Sequence, residues 1–331
     1  MLGQPTLANY WHPICAVGDI GEQPRRFPLL GDFVVAYRDS EGPVALRDLC
    51  IHRGAALSLG WVRGDRLVCA YHGWEYDRTG GCVRIPSRPA GAPIPRAARA
   101  QAYRTQEAYD LVWVAVGDPV AGIPAFPGGV FGKSGWHGFL SYRKVWRTSA
   151  ARSVENFMDF SHFPYVHPGL LGTEDRAEVQ PYAVEKTDDG LFFAFEQQEP
   201  SDLYGKGGTA TVRYEYTLSL PFTIHLNKIE EDGVSATMIS MATTPVSPTA
   251  SELYVWIIRN HSLSRPDHEF GDFTRTIMEQ DRVVVESQRP EELPVSLREE
   301  LHIKVPDAAS LLYRTQLSAL AKVDAFGEYG A

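Results

Sequence analysis

The sequence lacks long apolar segments and an N-terminal targeting signal. Its longest apolar run, Leu111 to Val116, has six residues, whereas a membrane-spanning helix needs about 20. The first residues, Met1 to Pro5, contain no basic stretch followed by an apolar one, which is the pattern of a secretory signal peptide. These absences argue against a membrane partner and predict a cytoplasmic protein.

Basic residues are outnumbered by acidic ones. The 331 residues include 32 Lys and Arg against 41 Asp and Glu, which gives a formal net charge of -9. Binding to nucleic acid needs a local excess of basic side chains, so this balance argues against it. We therefore expect the partner to be a small molecule or another protein.

Cysteine is scarce, and a dinucleotide-binding motif is missing. Four cysteines are too few for the disulfide framework of a small secreted domain, so Cys15 and Cys82 are expected to be buried small hydrophobic residues. The glycines between Gly128 and Gly135 do not form a Gly-x-Gly-x-x-Gly turn between a strand and a helix. No nicotinamide or flavin site is therefore predicted within the chain.

The other two cysteines belong to a pattern that predicts a metal centre. Cys50 and His52 are followed, after sixteen residues, by Cys69 and His72. Two thiolates and two imidazoles suit either a structural zinc ion or a [2Fe-2S] cluster. A zinc finger usually takes its cysteine pair from one loop and its histidine pair from the other, whereas here each loop carries one of each. In a Rieske cluster one iron binds both cysteines and the other both histidines, so each loop can supply one ligand to each iron.

This motif, continued by Gly73 to Asp77, resembles the Rieske domain of the Rieske non-heme iron oxygenases. The loops lack the additional cysteines that form a disulfide in the high-potential Rieske proteins of respiratory complexes, which fits the low-potential oxygenase type. The resemblance implies a [2Fe-2S] cluster, a mononuclear Fe(II), and electrons supplied by a separate NAD(P)H-dependent reductase or a ferredoxin.

Strand and helix patterns predict a two-domain protein of class α+β. Short β-branched and aromatic runs separated by Gly, Pro and Asp predict an all-β Rieske domain over residues 1–120. A Pro/Gly-rich connector is expected at 121–135, and a catalytic domain at 136–331, in which an antiparallel sheet is covered by helices. The helices predicted in the catalytic domain begin at the N-cap Ser153 and cover Pro266 to Gln288 and Asp307 to Leu320.

Polar residues after the connector predict a mononuclear metal site. Asn156, Asp159 and His162 are spaced three apart, so on one helix they form a strip of neighbours. His167 follows five positions later, about 140° around an ideal helix. For both histidines to reach one metal the helix has to break between them, and Pro164 predicts that break.

A carboxylate ligand is predicted on the next helix from its periodicity. Asp281 falls within about 40° of the centre of an apolar stripe, where an unpaired charge costs several kcal/mol. It therefore needs a cation, either a metal held by His162 and His167 or a buried arginine. Two histidines and one carboxylate form the facial triad that leaves positions on Fe(II) open for dioxygen. The stripe consists of Phe270, Phe273, Ile277 and Val284.

The spacing of Asn156, Asp159, His162 and His167 also resembles the catalytic motif of Rieske oxygenase large subunits, whose third ligand lies where Asp281 stands. The chain is shorter than the dihydroxylating dioxygenases of that family. It is closer to homotrimeric monooxygenases and demethylases, such as those acting on vanillate, dicamba, toluenesulfonate or saxitoxin-type alkaloids.

Asp159 is predicted to carry electrons between subunits of such a trimer. One of its carboxylate oxygens can accept the ring N–H of His162, the usual partner of a metal-bound histidine. The other oxygen is expected to be free for His72 of a neighbouring chain. Closed cyclic symmetry permits this arrangement, and the resemblance implies the same contact.

We therefore expect an oxygenase that uses O2 and external electrons to hydroxylate or oxidatively demethylate a small aromatic or polycyclic substrate. A cis-dihydroxylating dioxygenase with the same triad is the first alternative, and a non-catalytic Rieske electron-transfer protein is the second. On the predicted strand Thr223 to Asn227, His225 and Asn227 share one face, which looks either into a substrate pocket or toward solvent.

Overall fold

The structure, a computed structural model, describes residues 4–200 and 209–321. Two compact units divide the chain. One covers Leu7–Ile123, and the other begins at Pro124 and includes the residues before Leu7. Among the described residues, none of the helices combines the length and the apolar character needed to cross a membrane.

The predicted connector, 121–135, lies mostly within the C-terminal unit. Phe126 and Val130 are buried there, and the Phe126 ring lies 5.6 Å from the ring of Trp256. Apolar residues inside this Pro/Gly-rich segment therefore hold it against its own unit, which its composition alone did not reveal.

The first described element is a short helix, α1 (Gln4–Leu7), and the N-terminal unit is then built from ten strands. These are β1 (His12–Ala16), β2 (Arg25–Leu29), β3 (Asp32–Asp39), β4 (Gly42–Arg47), β5 (Trp61–Arg63), β6 (Arg66–Val68), β7 (Glu75–Tyr76), β8 (Cys82–Arg84), β9 (Ala102–Ala108) and β10 (Leu111–Ala115). A six-stranded sheet has the order β1-β10-β9-β4-β3-β2, and a four-stranded sheet has the order β5-β6-β7-β8. The all-β prediction for this part of the chain is confirmed.

The hydrophobic core of the N-terminal unit surrounds the two cysteines of the sequence motif. Cys50 and Cys69 are buried in one cluster with Tyr37 of β3, Leu57 and Tyr76. Because both motif loops start from this packed core, their backbones are fixed at the base while the tips can reach a cofactor or partner.

The C-terminal unit contains one seven-stranded antiparallel sheet, in the order β11-β17-β16-β15-β14-β13-β12 when its strands are numbered along the chain. The strands are β11 (His137–Trp146), β12 (Val184–Lys186), β13 (Gly190–Pro200), β14 (Thr209–Ser219), β15 (Thr223–Ile229), β16 (Ala236–Ser247) and β17 (Ala250–Arg259). Consecutive strands from β12 to β17 are sheet neighbours, and β11 pairs with β17 at the edge.

Helices cover this sheet, as the sequence predicted. They are α2 (Ala150–Met158), α3 (Phe163–Val166), α4 (Asp267–Val285) and α5 (Ala308–Ala321). α2 packs against β15, β16 and β17, α4 against β11, and α5 against β12 and β13. The bounds of α4 and α5 agree with the predicted helices to within three residues at each end. The predicted α+β class is confirmed.

The start of α2 differs from the prediction. Ser149, not Ser153, is the N-cap, and its side-chain oxygen accepts a hydrogen bond from the N–H of Arg152. Ser153 lies buried inside the helix and donates its hydroxyl to the carbonyl of Ser149. Both serines fit a cap by sequence, and Ala150 and Ala151, which favour helix, extend it by one turn at its N-terminus.

A buried ionic network ties α2 to α5 and to the segment between α4 and α5. Arg314 donates to both carboxylate oxygens of Glu155, at 2.6 and 2.7 Å, and to Glu300 at 2.5 Å. Arg152 donates to the other oxygen of Glu300 at 2.7 Å. Both arginine side chains are almost fully buried, so each charge depends on its partners.

Replacing Arg314 by Met should destabilise the C-terminal unit strongly. The buried carboxylate of Glu155 would lose both of its hydrogen bonds from the guanidinium of Arg314. Breaking a buried charge pair costs about 3–5 kcal/mol. Chemical unfolding followed by tryptophan fluorescence measures the effect. The matched control is Arg275→Met, whose pair with Asp272 is exposed and is worth about 1 kcal/mol or less. Equal loss of stability in the two variants would contradict this account.

Candidate metal centres

The two motif loops share one backbone design. In the first, the N–H of Gly54 donates to the carbonyl of Cys50 at 2.8 Å; in the second, the N–H of Gly73 donates to the carbonyl of Cys69 at 2.9 Å. Both glycines have positive φ, 70° and 69°, a conformation that glycine adopts without steric cost. Each loop is therefore a tight tip closed four residues after its cysteine.

The loop tips bring the two histidines of the motif together. The ring centroids of His52 and His72 are 4.5 Å apart, and His52 also stacks on Trp74. The Nδ1 atom of His52 is buried and has no hydrogen-bond partner among the described residues. A buried ring nitrogen without a partner is costly, and a metal would satisfy it.

The cysteines complete a donor set that fits a [2Fe-2S] cluster. Cys50 and Cys69 are buried and form no disulfide. Burial raises the pKa of the Cys69 thiol, so its thiolate form needs the positive charge of a metal. One sulfur and one imidazole from each loop fit the two-plus-two ligation of a Rieske centre.

Tyr76 contacts one of these sulfurs, a role that sequence reasoning missed. Its hydroxyl lies 3.0 Å from Sγ of Cys50 inside the core. Burial, together with the neighbouring Cys50, raises the pKa of Tyr76 far above its ordinary value, so the hydroxyl stays protonated. When Cys50 is a thiolate, Tyr76 must therefore be the donor.

In the C-terminal unit, two histidines flank the single turn of α3. His162 is its N-cap and His167 its C-cap, and their ring centroids are 5.2 Å apart. The N–H of His167 donates to the carbonyl of Phe163 at 3.0 Å. A single short turn thus sets the distance between the two rings.

The predicted position of the helix break was wrong. The strip from Asn156 to His162 does not lie on one helix, because α2 ends at Met158 and Asp159 is its C-cap. Pro164 lies in the first turn of α3, where its missing N–H costs nothing. The proline therefore helps to begin the second helix rather than end the first.

Asp281 is buried on α4, as its periodicity predicted. The apolar stripe was placed slightly off centre, however, because Val284 is 45% exposed. The buried face instead follows Thr274, Met278, Asp281 and Val285, which keeps the helical spacing of three and four residues.

The three side chains converge on one point. Nε2 of His162 and Nε2 of His167 lie 3.3 and 2.9 Å from Oδ1 of Asp281. All three atoms are buried, and none is in hydrogen-bond geometry with a partner in the described part of the chain. Their ligand atoms lie within 4.8 Å of one another. Two imidazoles and one carboxylate fit the facial triad of a mononuclear iron.

Charge interactions hold the three side chains of this site together. Burial alone would lower the pKa of His162, but the carboxylates of Asp159 and Asp281 outweigh it and raise the pKa to about 9. Burial alone would raise the pKa of Asp281, but His162 and His167 outweigh it and lower the pKa. Asp281 is therefore an ionised carboxylate, as a metal ligand requires.

Asp159 and Gln280 orient the two imidazoles. Oδ2 of Asp159 lies 3.1 Å from Nδ1 of His162, and Oε1 of Gln280 lies 2.8 Å from Nδ1 of His167. Both contacts leave Nε2 as the ligand atom. Sequence reasoning identified Asp159 but gave Gln280 no role, although it precedes Asp281 on α4.

The second oxygen of Asp159 is not free, contrary to the prediction. Oδ1 accepts hydrogen bonds from the N–H of Ser161 at 2.8 Å and from its hydroxyl at 2.6 Å. The side chain of Asp159 is nevertheless 31% exposed. Oδ2, which carries the bond to His162, remains the oxygen with an acceptor position to spare.

A mostly apolar cavity adjoins the triad. Helices α2, α3 and α4 and the strands β14, β15 and β16 contribute its walls. Besides the triad, its lining consists of Asn156, Phe157, Phe163, Leu171, Tyr214, Tyr216, Leu226, Lys228, Ile239, Phe273, Thr274, Ile277 and Met278. Asn156 thus lies at the cavity.

His225 and Asn227 do not line this cavity. Their neighbours Leu226 and Lys228 do, and successive residues of a strand face opposite sides of the sheet. His225 is buried, with Nδ1 2.8 Å from the hydroxyl of Ser240, and burial lowers its pKa to about 3. The predicted shared face is therefore the opposite face of the sheet.

Comparison with known proteins agrees with both centres. Residues 10–104 match the Rieske [2Fe-2S] domain, and residues 146–323 match the vanillate O-demethylase oxygenase C-terminal domain. Methylxanthine N1-demethylase NdmA of Pseudomonas putida is 30% identical over 329 residues, which cover 95% of this chain and 89% of NdmA. The chain belongs to the Rieske non-heme iron oxygenases.

Other relatives agree with this assignment. Methylxanthine N3-demethylase NdmB of Pseudomonas putida is 31% identical over 88% of this chain and 84% of its own length. The solved structure of Pseudomonas putida CBB5 NdmA with caffeine has a TM-score of 0.85 and 29% identity, covering 96% of this chain and 92% of that one. Dicamba monooxygenase bound to dicamba, 20% identical with a TM-score of 0.80, shares the fold.

The chain is thus an α subunit of the oxygenase type and an O2-dependent oxidoreductase. It uses a [2Fe-2S] cluster, a mononuclear iron and electrons from a separate reductase to hydroxylate or oxidatively demethylate a small organic substrate. The relatives support the monooxygenase and demethylase type rather than the dihydroxylating alternative. An electron-transfer protein without catalysis is likewise not supported.

Replacing Tyr76 by Phe should lower the reduction potential of the cluster. A hydrogen bond to a ligating sulfur stabilises the more negative, reduced state. A bond worth about 1 to 1.4 kcal/mol corresponds to about 40 to 60 mV for one electron. A redox titration followed by electron paramagnetic resonance measures the shift.

The control for this titration is Tyr37→Phe. Tyr37 lies in the same core cluster, and its hydroxyl has no hydrogen-bond partner among the described residues. Its removal should leave the potential unchanged. A potential that is the same in wild type and Tyr76→Phe would rule out the proposed donation to Cys50.

Proposed function

We propose that His162, His167 and Asp281 hold the mononuclear iron, and that Cys50, Cys69, His52 and His72 hold the cluster. The first assignment is supported by three buried, converging ligand atoms that form no hydrogen bonds with other described residues. The second is supported by the paired loops and by the unpartnered Nδ1 of His52. Iron bound at the triad supplies the activation of dioxygen, using electrons that arrive through the cluster.

We further propose that the reaction is oxidative demethylation of a small methylated ring compound. The observation that carries this is the apolar cavity directly beside the triad, which can hold a flat ring with a methyl group toward the iron site. Relatives named as demethylases of methylxanthines align with 88% or more of this chain. An N-methyl heteroaromatic is therefore the preferred substrate class.

The chemistry balances with one O2, two electrons and two protons. One oxygen atom enters a C–H bond of the methyl group, and the other leaves as water. The resulting carbinolamine loses its C–N bond, which releases formaldehyde and the demethylated ring. Within the cavity, Phe157, Phe163 and Leu171 exclude water and hold the ring, while Asp159 and Gln280 keep the two imidazoles oriented.

Formaldehyde release tests this function. The purified protein, with a surrogate reductase and NADH, should release formaldehyde from caffeine or theobromine in proportion to the O2 consumed. The Asp281→Ala variant should lose about one iron per chain, as a one-metal triad requires. It should keep the cluster spectrum but show no turnover.

Asp272→Ala provides the control, because Asp272 is exposed on the same helix and should leave iron content and turnover unchanged. Diol products without formaldehyde would contradict demethylation. Full iron content in Asp281→Ala would contradict the ligand assignment instead, so the two parts of the proposal can fail separately.

We propose that the protein is a cytoplasmic homotrimer in which electrons pass from the cluster of one chain to the iron of its neighbour. His72 is exposed at its loop tip, and Asp159 is 31% exposed beside His162. An imidazole of one chain and a carboxylate of another can therefore meet in a cyclic assembly. Oδ2 of Asp159 would then bridge the two rings.

Mixed assemblies test this transfer. His72→Ala removes a cluster ligand, and His162→Ala removes an iron ligand, so each variant alone should be inactive. Co-assembled chains should regain activity if electrons cross between chains, since each supplies the centre that the other lacks. No activity despite co-assembly, shown by differently tagged chains, would place the transfer within one chain.

Asp159→Asn is the companion variant. It should keep both metal centres and turn over far more slowly, because the amide lacks the charge of the carboxylate. Ser161→Ala is its control, since Ser161 contacts the oxygen of Asp159 that does not reach His162. Normal turnover of Asp159→Asn would remove Asp159 from the electron path.

A further inference from the structure

One wall of the cavity is a patch of three neighbouring strands with an uneven distribution of polarity. In register, Tyr216 of β14 lies opposite Leu226 of β15, which lies opposite Ile239 of β16. One pair further along, Tyr214 lies opposite Lys228. The patch is therefore uncharged at one end and carries a lysine at the other.

Lys228 is buried and has a carboxylate partner on the same face of the sheet. Its Nζ lies 2.5 Å from Oε1 of Glu199 on β13, and both side chains are at most 5% exposed. The hydroxyl of Tyr214 also donates to Oε1 of Glu199. Lys228 lines the cavity and Glu199 does not, so the lysine is the member of the pair next to the cavity, and its charge is compensated from β13.

This compensation decides which charges the cavity accepts. A carboxylate that leaves water for an apolar cavity loses several kcal/mol of hydration unless it gains a cation there. Among the described lining residues, Lys228 is the one basic side chain of the Lys or Arg type. Its charge is already balanced by Glu199. An anionic substrate would therefore have to compete with Glu199 for it.

Tyr216 offers an uncharged alternative at the other end of the patch. Its side chain is fully buried, and its hydroxyl has no hydrogen-bond partner among the described residues. The ring is fixed by stacking on Phe193, at 4.6 Å between centroids. A buried hydroxyl in a cavity wall, held in place and unpartnered, can donate to an acceptor on a bound ligand.

We propose that the cavity selects uncharged ring compounds that carry a carbonyl acceptor: Tyr216 donates to the carbonyl, and the Glu199–Lys228 pair discriminates against carboxylates. The inference rests on the proposed function, because it concerns substrates of the same site. It names a substrate class that the triad alone does not specify, since the triad is the same for neutral and anionic substrates.

Three ring compounds of similar shape separate these contributions. 3-Methoxybenzamide is neutral with a carbonyl, 3-methoxybenzoate is an anion, and 3-methoxytoluene has neither group. Binding to the anaerobic protein with both metal centres loaded is measured by calorimetry, without turnover. Wild type should bind the amide about tenfold or more tightly than the other two, a difference of about 1.4 kcal/mol or more.

Two substitutions test the two elements. Glu199→Gln should raise the affinity for the benzoate about tenfold, because Lys228 loses its compensating charge, while Glu196→Gln should not. Glu196 is the matched control, an exposed carboxylate on the same strand. Tyr216→Phe should weaken the amide about fivefold, as expected for one hydrogen bond, and leave 3-methoxytoluene unchanged.

The double variant Glu199→Gln, Lys228→Met guards against misfolding of the single one, since it removes the charge pair as a unit. It should bind the amide in preference to the benzoate, as wild type does. Benzoate binding equal to or tighter than amide binding in wild type overturns the proposal, as does undetectable amide binding. Iron and sulfide contents measured on the same samples show whether the metal centres, and with them the proposed function, have failed instead.

Discussion

Asp281 places a negative charge on the buried side of α4, and the C-terminal unit is arranged around the two imidazoles that face it. Burial opposes this charge, and His162 and His167 outweigh that opposition. Each imidazole is in turn oriented by a contact at its Nδ1 atom, one with Asp159 and the other with Gln280. The same convergence that a metal requires therefore also determines how α2, α3 and α4 meet.

The elements that carry these residues are anchored away from the cavity. Glu155 lies one position before Asn156 on α2, and its two bonds to Arg314 hold the helix end to α5. The cost of burying this carboxylate shows in its pKa, which burial raises despite the neighbouring Arg314. The ionic network is thus positional: it determines where the cavity end of α2 lies.

Local patterns in the sequence identified the proposed metal ligands. Cys50 to His72 form two short tips, each determined by spacing within one loop, and Asp281 stood out as a charge on an otherwise apolar helix face. The strand alternation correctly put His225 and Asn227 on one face of β15. Which face meets the cavity depends on where α2 and α4 pack, and no local pattern contains that information.

Features that depend on competing local options were harder to predict. Ser149 and Ser153 are equivalent caps by residue type, and the adjacent alanines decided between them. The alternation of β11 is interrupted where its register shifts between Leu140 and Tyr142, so this strand has no regular two-residue pattern. Gln280 was overlooked because an amide beside a carboxylate carries no distinctive periodicity, although it contacts His167.

The single turn of α3 has a consequence for the order in which the iron site can be built. His162 and His167 are joined by that turn alone, so their approach needs only local folding, whereas Asp281 arrives with a distant helix. Two of the three proposed ligands are therefore local to each other, and the third depends on the docking of α4. Retention of a metal at this site would then depend on completed folding of the sheet and its helices.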